Sequence, residues 1–309
     1  MTTRLSGLRM RPTRSGHPRH GSSTAAPARD SIRHVSETAL WVAMYRAAES
    51  ERPDALFRDP YAQRLAGERG AAILRRLPFG ESMGWAISVR TRLIDDAVQR
   101  AIARGAQSVL NLGAGLDTRA FRLDLPASLR WFDVDLPWII EHRLRCLDRV
   151  AARCNHLHVA ADLLDPGTCG ALLARVGAAG GPALVISEGL LVYLEAARVG
   201  RLAHQLHGEP ALRWWVTDVV TPQLARMVGT LWQPTLAGAP FRFAPVDSST
   251  FFKPTGWREA EFRSIWEESI RLQRTLPLAG WWTSLGRLAM PALHEVTRRM
   301  AGVVLLERV

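Results

Sequence analysis

The strongest constraint on the fold is a change of hydrophobic period after Gly105. Beyond it, short apolar runs bounded by Gly, Asp or Pro alternate with longer segments of helical composition. The runs predict strands at Ser108–Leu112, Trp131–Val134, Leu157–Ala160, Ala183–Ile186, Leu212–Thr217 and Gly302–Leu306. The segments between them predict helices at Trp138–Arg153, Thr168–Val176, Glu195–His207 and Pro222–Trp232. This alternation indicates an α/β fold with a doubly wound parallel sheet, because right-handed crossovers place helices on both faces.

Composition divides the rest of the chain. Residues 1–33 are rich in Ser, Thr, Pro, Gly and Arg, and we expect a disordered basic tail, either a dispensable extension or the result of a misassigned start. Its Arg-rich, Ser-rich composition also resembles that of a transit peptide. Helical signals at 34–105 predict an N-terminal helical cap, and 106–309 form the predicted sheet domain. Within it, the stretch 229–256, rich in Pro, Gly and aromatic residues, predicts an ordered lid.

The charge of the chain says little about partners. There are 40 basic and 29 acidic residues, giving a net charge of +11, but every basic residue except Lys253 is arginine, which is typical of GC-rich coding. The arginines are scattered rather than arranged in a stripe with stacking aromatics, so we expect no nucleic-acid role. The longest apolar stretch, Pro182–Leu194, is well short of the ~20 residues that cross a bilayer, so no membrane span is expected. The three cysteines contain no C-x-x-C pair, which fits a reducing cytoplasm.

A glycine-rich turn follows the first predicted strand. Gly113 and Gly115 allow a tight turn and let a ligand approach the backbone without meeting a Cβ atom. The third glycine of a dinucleotide fingerprint would stand at position 118, which is Thr, and no Gly-Lys follows as in a phosphate-binding loop. The turn therefore favours a nucleoside-type ligand without a pyrophosphate, whose ammonium and carboxylate need polar partners.

Acidic residues follow three neighbouring strands. Asp135 comes about 20 residues after the glycine turn, a spacing suited to binding ribose hydroxyls. Asp133 shares its strand face, and the sequence does not separate the two. Asp162 and Glu188 end the third and fourth strands. Because the carboxyl ends of parallel strands meet at one edge, these carboxylates are expected to converge on one crevice.

Several motifs occur in an order that resembles a known family. They are Ser36-Glu-Thr-Ala-Leu, Arg52-Pro-Asp-Ala-Leu-Phe-Arg-Asp-Pro60, Asn111-Leu-Gly-Ala-Gly-Leu-Asp-Thr-Arg119, Phe132-Asp-Val-Asp-Leu-Pro137 and Ser187-Glu-Gly-Leu-Leu-Val-Tyr-Leu194. Together they resemble the leucine carboxyl methyltransferase-like class I S-adenosylmethionine-dependent methyltransferases, in the branch of bacterial small-molecule O-methyltransferases. The resemblance implies a Rossmann-like methyltransferase sheet, S-adenosyl-L-methionine as cofactor, and a small-molecule acceptor such as a polyketide-type acid.

The resemblance also implies roles for single residues. Gly113 would line the methionine moiety, Asp135 would meet the ribose, and Glu188 would lie beside the cofactor. Asp162 and Leu163 would flank the adenine. An arginine before the first strand would bind the cofactor carboxylate.

Arg90 matches that arginine best, and Arg92 is the alternate. The sequence departs from the family pattern at Asp133, where Glu is more usual. It also lacks the N-terminal lysine of the members that methylate a protein phosphatase, since its one lysine is Lys253. This departure argues against a protein substrate of that kind.

The acceptor region is predicted less sharply. A carboxylate acceptor is already ionised at neutral pH and needs no general base, which agrees with the lack of a His-centred catalytic group. We expect no metal, because His156 and His158 lack ligands at zinc-like spacing. Tyr193 and Arg119 are the candidate catalytic or acceptor-orienting residues, with Arg242 an alternative to Arg119.

Six tryptophans could form an apolar acceptor pocket, or could pack in the core and at its rim. They are Trp214, Trp215, Trp232, Trp257, Trp281 and Trp282.

Two other functions compete with methyl transfer. One is a nicotinamide-dependent oxidoreductase, which the fold class favours and Thr118 opposes. The other is a methyltransferase-fold binding module without turnover.

Overall fold

The apolar runs of the sequence form a single sheet. The computed structural model describes residues 34–163, 165–275 and 297–309. In this part of the chain the strands are β1 (Ser108–Leu112), β2 (Arg130–Asp135), β3 (Asn155–Ala160), β4 (Ala183–Ser187), β5 (Leu212–Val220), β6 (Trp257–Ser264) and β7 (Ala301–Arg308). They pair in the order β3-β2-β1-β4-β5-β7-β6. The first five are parallel, and β7 runs antiparallel to both of its neighbours.

Helices surround this sheet. They are α1 (Thr38–Ser50), α2 (Ala62–Arg76), α3 (Gly84–Ala103), α4 (Arg119–Arg122), α5 (Pro137–Cys146), α6 (Pro166–Ala179), α7 (Ala196–Gly208), α8 (Pro222–Leu231), α9 (Ser248–Phe252) and α10 (Ile265–Arg271). None of these described helices has the length and apolar character that a membrane crossing requires.

The central strand β4 shows how both faces are covered. All five of its residues are buried. Leu184 and Ile186 belong to the hydrophobic cluster that also contains α3, whereas Val185 belongs to the cluster that contains α7. Because successive side chains of a strand point to opposite faces, a continuous apolar strand needs helices on both sides. The predicted doubly wound α/β sheet is confirmed.

Strand order locates the ligand crevice. β1 pairs with β2 on one side and with β4 on the other, so the chain reverses its winding direction between β1 and β4. Connections leave the sheet in opposite directions at such a point, which opens a crevice at the carboxyl ends of the strands. The glycine turn after β1 and Glu188 after β4 both lie at this edge.

The predicted and observed elements differ at one helix and one strand. The helix expected over Trp138–Arg153 ends at Cys146, and Arg149 shortly beyond it has a left-handed backbone with φ of 64°, outside the right-handed helical region. Strand β6 was not predicted, because charged residues interrupt its apolar ones; among the described strands it pairs with β7 alone and lies at the sheet edge. The predicted tail, 1–33, and two of the predicted pocket tryptophans, Trp281 and Trp282, lie outside the described residues.

A buried ion pair joins the N-terminal helices to the glycine turn. Nε of Arg46 in α1 lies 2.9 Å from Oδ2 of Asp59, and both side chains are almost fully buried. The same oxygen accepts a 2.7 Å hydrogen bond from the hydroxyl of Thr118, and Nη2 of Arg46 donates to the carbonyl of Leu116. Burial raises the pKa of Asp59, but Arg46 and Arg122 more than offset this and hold it below its usual value.

Replacing Asp59 by Ala should therefore destabilise the protein by about 3–5 kcal/mol, because the guanidinium of Arg46 would remain buried without its counter-charge. Urea unfolding at pH 7 measures the change. Asp148→Ala is the matched control, since that carboxylate is 74% exposed and, within the described part of the chain, its ion pair is with its neighbour Arg149. Equal stability of the two variants would contradict the role given to this ion pair.

Candidate functional site

The turn after β1 has the geometry that its glycines allow. Gly113 and Gly115 have φ of 61° and 50°, in the left-handed region that side chains other than glycine rarely adopt. A Cβ atom at Gly113 would lie 2.9 Å from Cδ1 of Leu190, too close without movement of that side chain. The two glycines therefore bring bare backbone to the edge of the crevice.

Asp135 ends β2 beside this turn. One of its carboxylate oxygens accepts a 2.7 Å hydrogen bond from the amide of Gly115, and the other accepts one of 2.7 Å from the amide of Leu136. Burial raises the pKa of Asp135, although these amides partly counter the effect. The carboxylate is thus fixed in place and lies on the wall of the cavity described below.

Asp133, the other acid on this strand face, lies beneath the turn and does not line the cavity. It is 1% exposed, and its carboxylate accepts hydrogen bonds from Asn111, Trp131, Arg143 and His156. Arg143 also donates to the carbonyl oxygens of Gly115 and Asp117, at 3.0 and 2.6 Å. Asp133 therefore supports the turn from below, and the structure does not bring it to the predicted cofactor contacts.

The crevice forms a cavity of about 1020 Å³. The other predicted cofactor-binding residues all line it. They are Arg90, Gly113, Gly115, Asp135, Asp162, Leu163 and Glu188. We call the part formed by these residues the cofactor half.

An ion-pair network forms the floor of the cofactor half. Glu188 accepts from Nε of Arg90 at 3.0 Å and from Nη1 of Arg119 at 2.7 Å. Burial alone would raise the pKa of Glu188, but the guanidinium groups of Arg119 and Arg90 hold it at about 2. Arg90 also donates to Asp218, at 3.0 Å. The carboxylate of Glu188 is therefore ionised at neutral pH and rigidly held.

The structure separates the two candidate arginines of α3. Arg90 lines the cavity, whereas Arg92 does not. Arg92 instead binds Asp96 at 2.8 Å and the carbonyl oxygen of Leu56 at 3.0 Å. Of these two arginines, Arg90 is therefore the one placed to meet a ligand in the cofactor half.

Arg119 lines the cavity, but carboxylates enclose its guanidinium group. It lies 2.6 Å from Asp95, 2.6 Å from Asp117 and 2.7 Å from Glu188, and its side chain is 2% exposed. Burial alone would lower the pKa of Arg119, but these three acids raise it well above its usual value. Its charge is already neutralised, so it suits a structural role better than the orientation of an acceptor.

Tyr193, the other candidate, also lines the cavity. Burial raises its pKa to about 12, even though a hydrogen bond with Thr38 acts in the opposite direction. The phenol therefore stays protonated at neutral pH and cannot act as a general base there.

Aromatic residues form the other part of the cavity, which we call the aromatic half. Four tryptophans line it in two edge-to-face pairs: Trp41 with Trp232, and Trp85 with Trp266, with ring centroids 5.6 and 6.1 Å apart. Three of these four residues escaped the sequence prediction, although Trp41 and Trp85 lie in the predicted helical cap. The pairs make a large apolar wall that a flat ligand could contact.

Three of the tryptophans named for the acceptor region follow the packing alternative, and Arg242 does not take the predicted acceptor-orienting place. Trp214, Trp215 and Trp257 are buried in the core instead of lining the cavity, and the ring N–H groups of Trp215 and Trp257 donate to protein oxygens. Arg242 does not line the cavity either. Its guanidinium is half exposed and lies 3.3 Å from Glu195.

A possible group of metal ligands lies beneath the turn. In the described part of the chain, Asp133, His156 and His158 offer ligand atoms within 4.8 Å of one another. Four hydrogen bonds, one of them from the guanidinium of Arg143, already satisfy the carboxylate of Asp133. Burial, reinforced by Arg143, lowers the pKa of His158 to about 4. These contacts describe a hydrogen-bonded network, and the absence of a metal stays a prediction.

The ionised state of Glu188 predicts a pH-dependent stability. The folded-state pKa of about 2 lies below the usual value of 4.5, so the ionised group stabilises the fold above pH 4.5, and this contribution disappears as the pH falls toward 2. Glu188→Gln should be about 3 kcal/mol less stable than the wild type at pH 7, and the gap should narrow below pH 4.5. Urea unfolding across pH 3–7 measures it. A gap that stays constant or widens in acid would contradict this assignment.

Comparisons with known proteins identify relatives of this chain. A protein of Streptomyces coelicolor named as an S-adenosyl-L-methionine-dependent methyltransferase is 42% identical over 174 aligned residues, covering 52% of this chain and 60% of that protein. This chain therefore spans less than two thirds of that relative's length. A Parafrankia relative with the same kind of name is 38% identical over 281 residues, covering 82% of this chain and 87% of the relative.

The fold comparison points the same way. The crystal structure of a DUF574 family protein from Streptomyces avermitilis has a TM-score of 0.53 at 14% identity, covering 88% of this chain and 97% of that one. This likeness shows a shared fold. A family model for leucine carboxyl methyltransferases matches residues 39–207, more than half of the chain. The chain therefore belongs to the leucine carboxyl methyltransferase family of S-adenosylmethionine-dependent methyltransferases.

Proposed function

We propose that the chain is an S-adenosylmethionine-dependent O-methyltransferase that methylates a carboxylate, or alternatively a hydroxyl, of a small apolar organic molecule such as a polyketide-type acid. One observation carries the proposal. A single cavity joins a cofactor half, lined by glycines and carboxylates, to an aromatic half lined by two tryptophan pairs. A methyl donor and an apolar acceptor could therefore meet without passing through solvent.

The residues of the cofactor half fit an adenosyl amino acid. Gly113 presents backbone without a Cβ atom at the cavity wall, and the fixed carboxylate of Asp135 can accept hydrogen bonds from ribose hydroxyls. Asp162 and Leu163 would flank the adenine, and Arg90 would bind the carboxylate of the amino acid. Glu188 supplies negative charge next to the cavity, which suits a cationic sulfonium.

The chain's own residues account for the chemistry by positioning. S-adenosylmethionine, when bound, supplies an electrophilic methyl carbon for an in-line displacement. The cofactor half fixes one reactant and the aromatic half the other, and the tryptophan walls exclude water. A carboxylate acceptor arrives ionised, so it needs no general base. The cavity wall accordingly offers no buried histidine as a general base among its described residues. The phenol of Tyr193 stays protonated, and the two histidines of the wall, His34 and His204, are both exposed.

The acceptor should be selected by apolar contact. Among the described arginines that line the cavity, Arg46, Arg90 and Arg119 are each paired with at least one carboxylate, whereas Arg198 and Arg201 are exposed. The three paired arginines do not form an unpaired clamp for an acceptor. The apolar surfaces of the two edge-to-face tryptophan pairs instead favour a flat ring system.

The competing functions fit the site less well. The position where a dinucleotide-binding loop has its third glycine holds Thr118, whose buried hydroxyl donates to Asp59. A nicotinamide enzyme is therefore disfavoured.

We also propose a cytoplasmic location, since the three cysteines are free. We propose no nucleic-acid partner, because the basic residues are scattered rather than clustered.

Cofactor binding gives the first test. Calorimetry with S-adenosylmethionine, S-adenosylhomocysteine and NAD should show binding of the first two only. Asp135→Ala should weaken that binding by about 1.5–3 kcal/mol through loss of charged hydrogen bonds to the ribose, while Asp148→Ala should leave it unchanged. Binding of NAD alone would refute the proposal, and unaltered affinity in Asp135→Ala would remove the ribose role from that residue.

The aromatic half gives the second test. Labelled methyl donor and a panel of aromatic and aliphatic carboxylic acids, with phenols alongside, should give a methylated aromatic acid detectable by mass spectrometry. Trp85→Ala should raise the acceptor KM by about tenfold or more through lost apolar contact, with unchanged affinity for S-adenosylhomocysteine. Trp138→Ala, outside the cavity wall, is the control. Cofactor binding without transfer to any acceptor would favour the binding module.

A further inference from the structure

Asp218 is a carboxylate in the cofactor half to which neither the sequence motifs nor the family resemblance gives a role. It lies on β5, beyond the stretch 39–207 that the family model matches, and it lines the cavity. We propose that Asp218 is a positioning residue that orients Arg90 toward the carboxylate of the cofactor's amino acid. This inference rests on the proposed function, because it assigns Arg90 to that carboxylate.

Two carboxylates pin the guanidinium plane of Arg90 at two separate nitrogens. Oε1 of Glu188 lies 3.0 Å from Nε, and Oδ2 of Asp218 lies 3.0 Å from Nη1. A planar guanidinium held at two nitrogens cannot rotate about its own axis. The third nitrogen, Nη2, has no hydrogen-bond partner among the described residues, and because Arg90 lines the cavity its donors are available to a ligand there.

Asp218 also holds the turn that carries the other partner of Arg90. Its second oxygen, Oδ1, accepts a 2.6 Å hydrogen bond from the amide of Gly189. Gly189 follows Glu188 directly and has a left-handed backbone with φ of 61°. One carboxylate therefore fixes both Arg90 and the turn after Glu188.

The charge balance explains why an acid is needed at this place. The side chain of Arg90 is only 12% exposed, and burial alone would lower its pKa, but Asp218 and Glu188 raise it above the usual value. Glu188 shares its charge with Arg119, so it cannot neutralise Arg90 alone. With an uncharged residue at 218, the guanidinium would turn toward Glu188 and leave the cofactor carboxylate less well paired.

A pair of ligands separates positioning from general structural damage. S-adenosylhomocysteine carries the amino-acid carboxylate and ammonium, whereas 5′-methylthioadenosine has the same nucleoside and thioether without either group, and the Arg90→Gln background described below separates the carboxylate contact from the ammonium. Their dissociation constants would be measured by calorimetry for the wild type, for Asp218→Asn, and for the control Asp96→Asn. Asp96 is a matched control because it pairs with Arg92, on the same helix but outside the cavity.

Asp218→Asn should weaken S-adenosylhomocysteine about tenfold or more, as expected for loss of a charge-assisted contact, and should change methylthioadenosine less than about twofold. Asp96→Asn should change neither. In an Arg90→Gln background, Asp218→Asn should cause no further loss, since the two residues act through one contact. Asp218→Glu, which keeps the charge, should restore part of the affinity and serves if the Asn variant does not fold.

The opposite results overturn the proposal. Equal weakening of both ligands by Asp218→Asn would show a merely structural role, and additive losses with Arg90→Gln would show that Asp218 acts independently of Arg90. If the wild type binds methylthioadenosine and S-adenosylhomocysteine equally well, Arg90 does not bind the carboxylate, and the inference fails while the nucleoside site stands. If the wild type binds neither, the proposed function fails with it.

Discussion

The buried guanidinium of Arg119 is the constraint on which the rest of the structure depends. A charged group that is 2% exposed is stable only if opposite charges surround it, and its partners come from three separate elements. Asp95 lies on α3, Asp117 lies in the turn after β1, and Glu188 follows β4. The three ion pairs of Arg119 therefore hold the helical cap against the edge of the sheet.

The same network gives the cavity its polarity. Glu188 pairs with Arg90 as well as with Arg119, so the position of Arg90 is linked to the same network. The charges of the cofactor half are therefore fixed before a ligand binds. Preorganised charges avoid the cost of rearrangement on binding, which is how positioning contributes to catalysis. Beneath the turn, Arg143 and Asp133 supply a second buried pair that holds the backbone of Gly115 from below.

Local patterns predicted the sheet and the floor of the crevice well. Apolar runs between Gly and Asp identified the parallel strands, because a strand buried on both faces has few alternatives. The rule that strand-end acids converge placed Asp135 and Glu188 at one edge. This rule could not separate Asp135 from Asp133, because the two residues share a strand face. Their distance from the strand end decides which of them reaches the cavity.

Features that depend on long-range packing were out of reach. Whether a tryptophan lines a cavity or fills a core depends on which helix covers it, so Trp215 and Trp85 look alike in the sequence and differ in the structure. Strand β6 exists because β7 offers it an open edge, which its own charged sequence does not reveal. The partners of Arg90 likewise come from β4 and β5, more than ninety residues away.

The most direct measurement of the central claim is a crystal structure of the protein soaked with S-adenosylhomocysteine. The account predicts electron density along the glycine turn, with the ribose hydroxyls within hydrogen-bonding distance of Asp135 and the amino-acid carboxylate against Arg90. Density for the ligand at another place, or an empty crevice at Gly113 and Asp135 with the compound in excess, would contradict it.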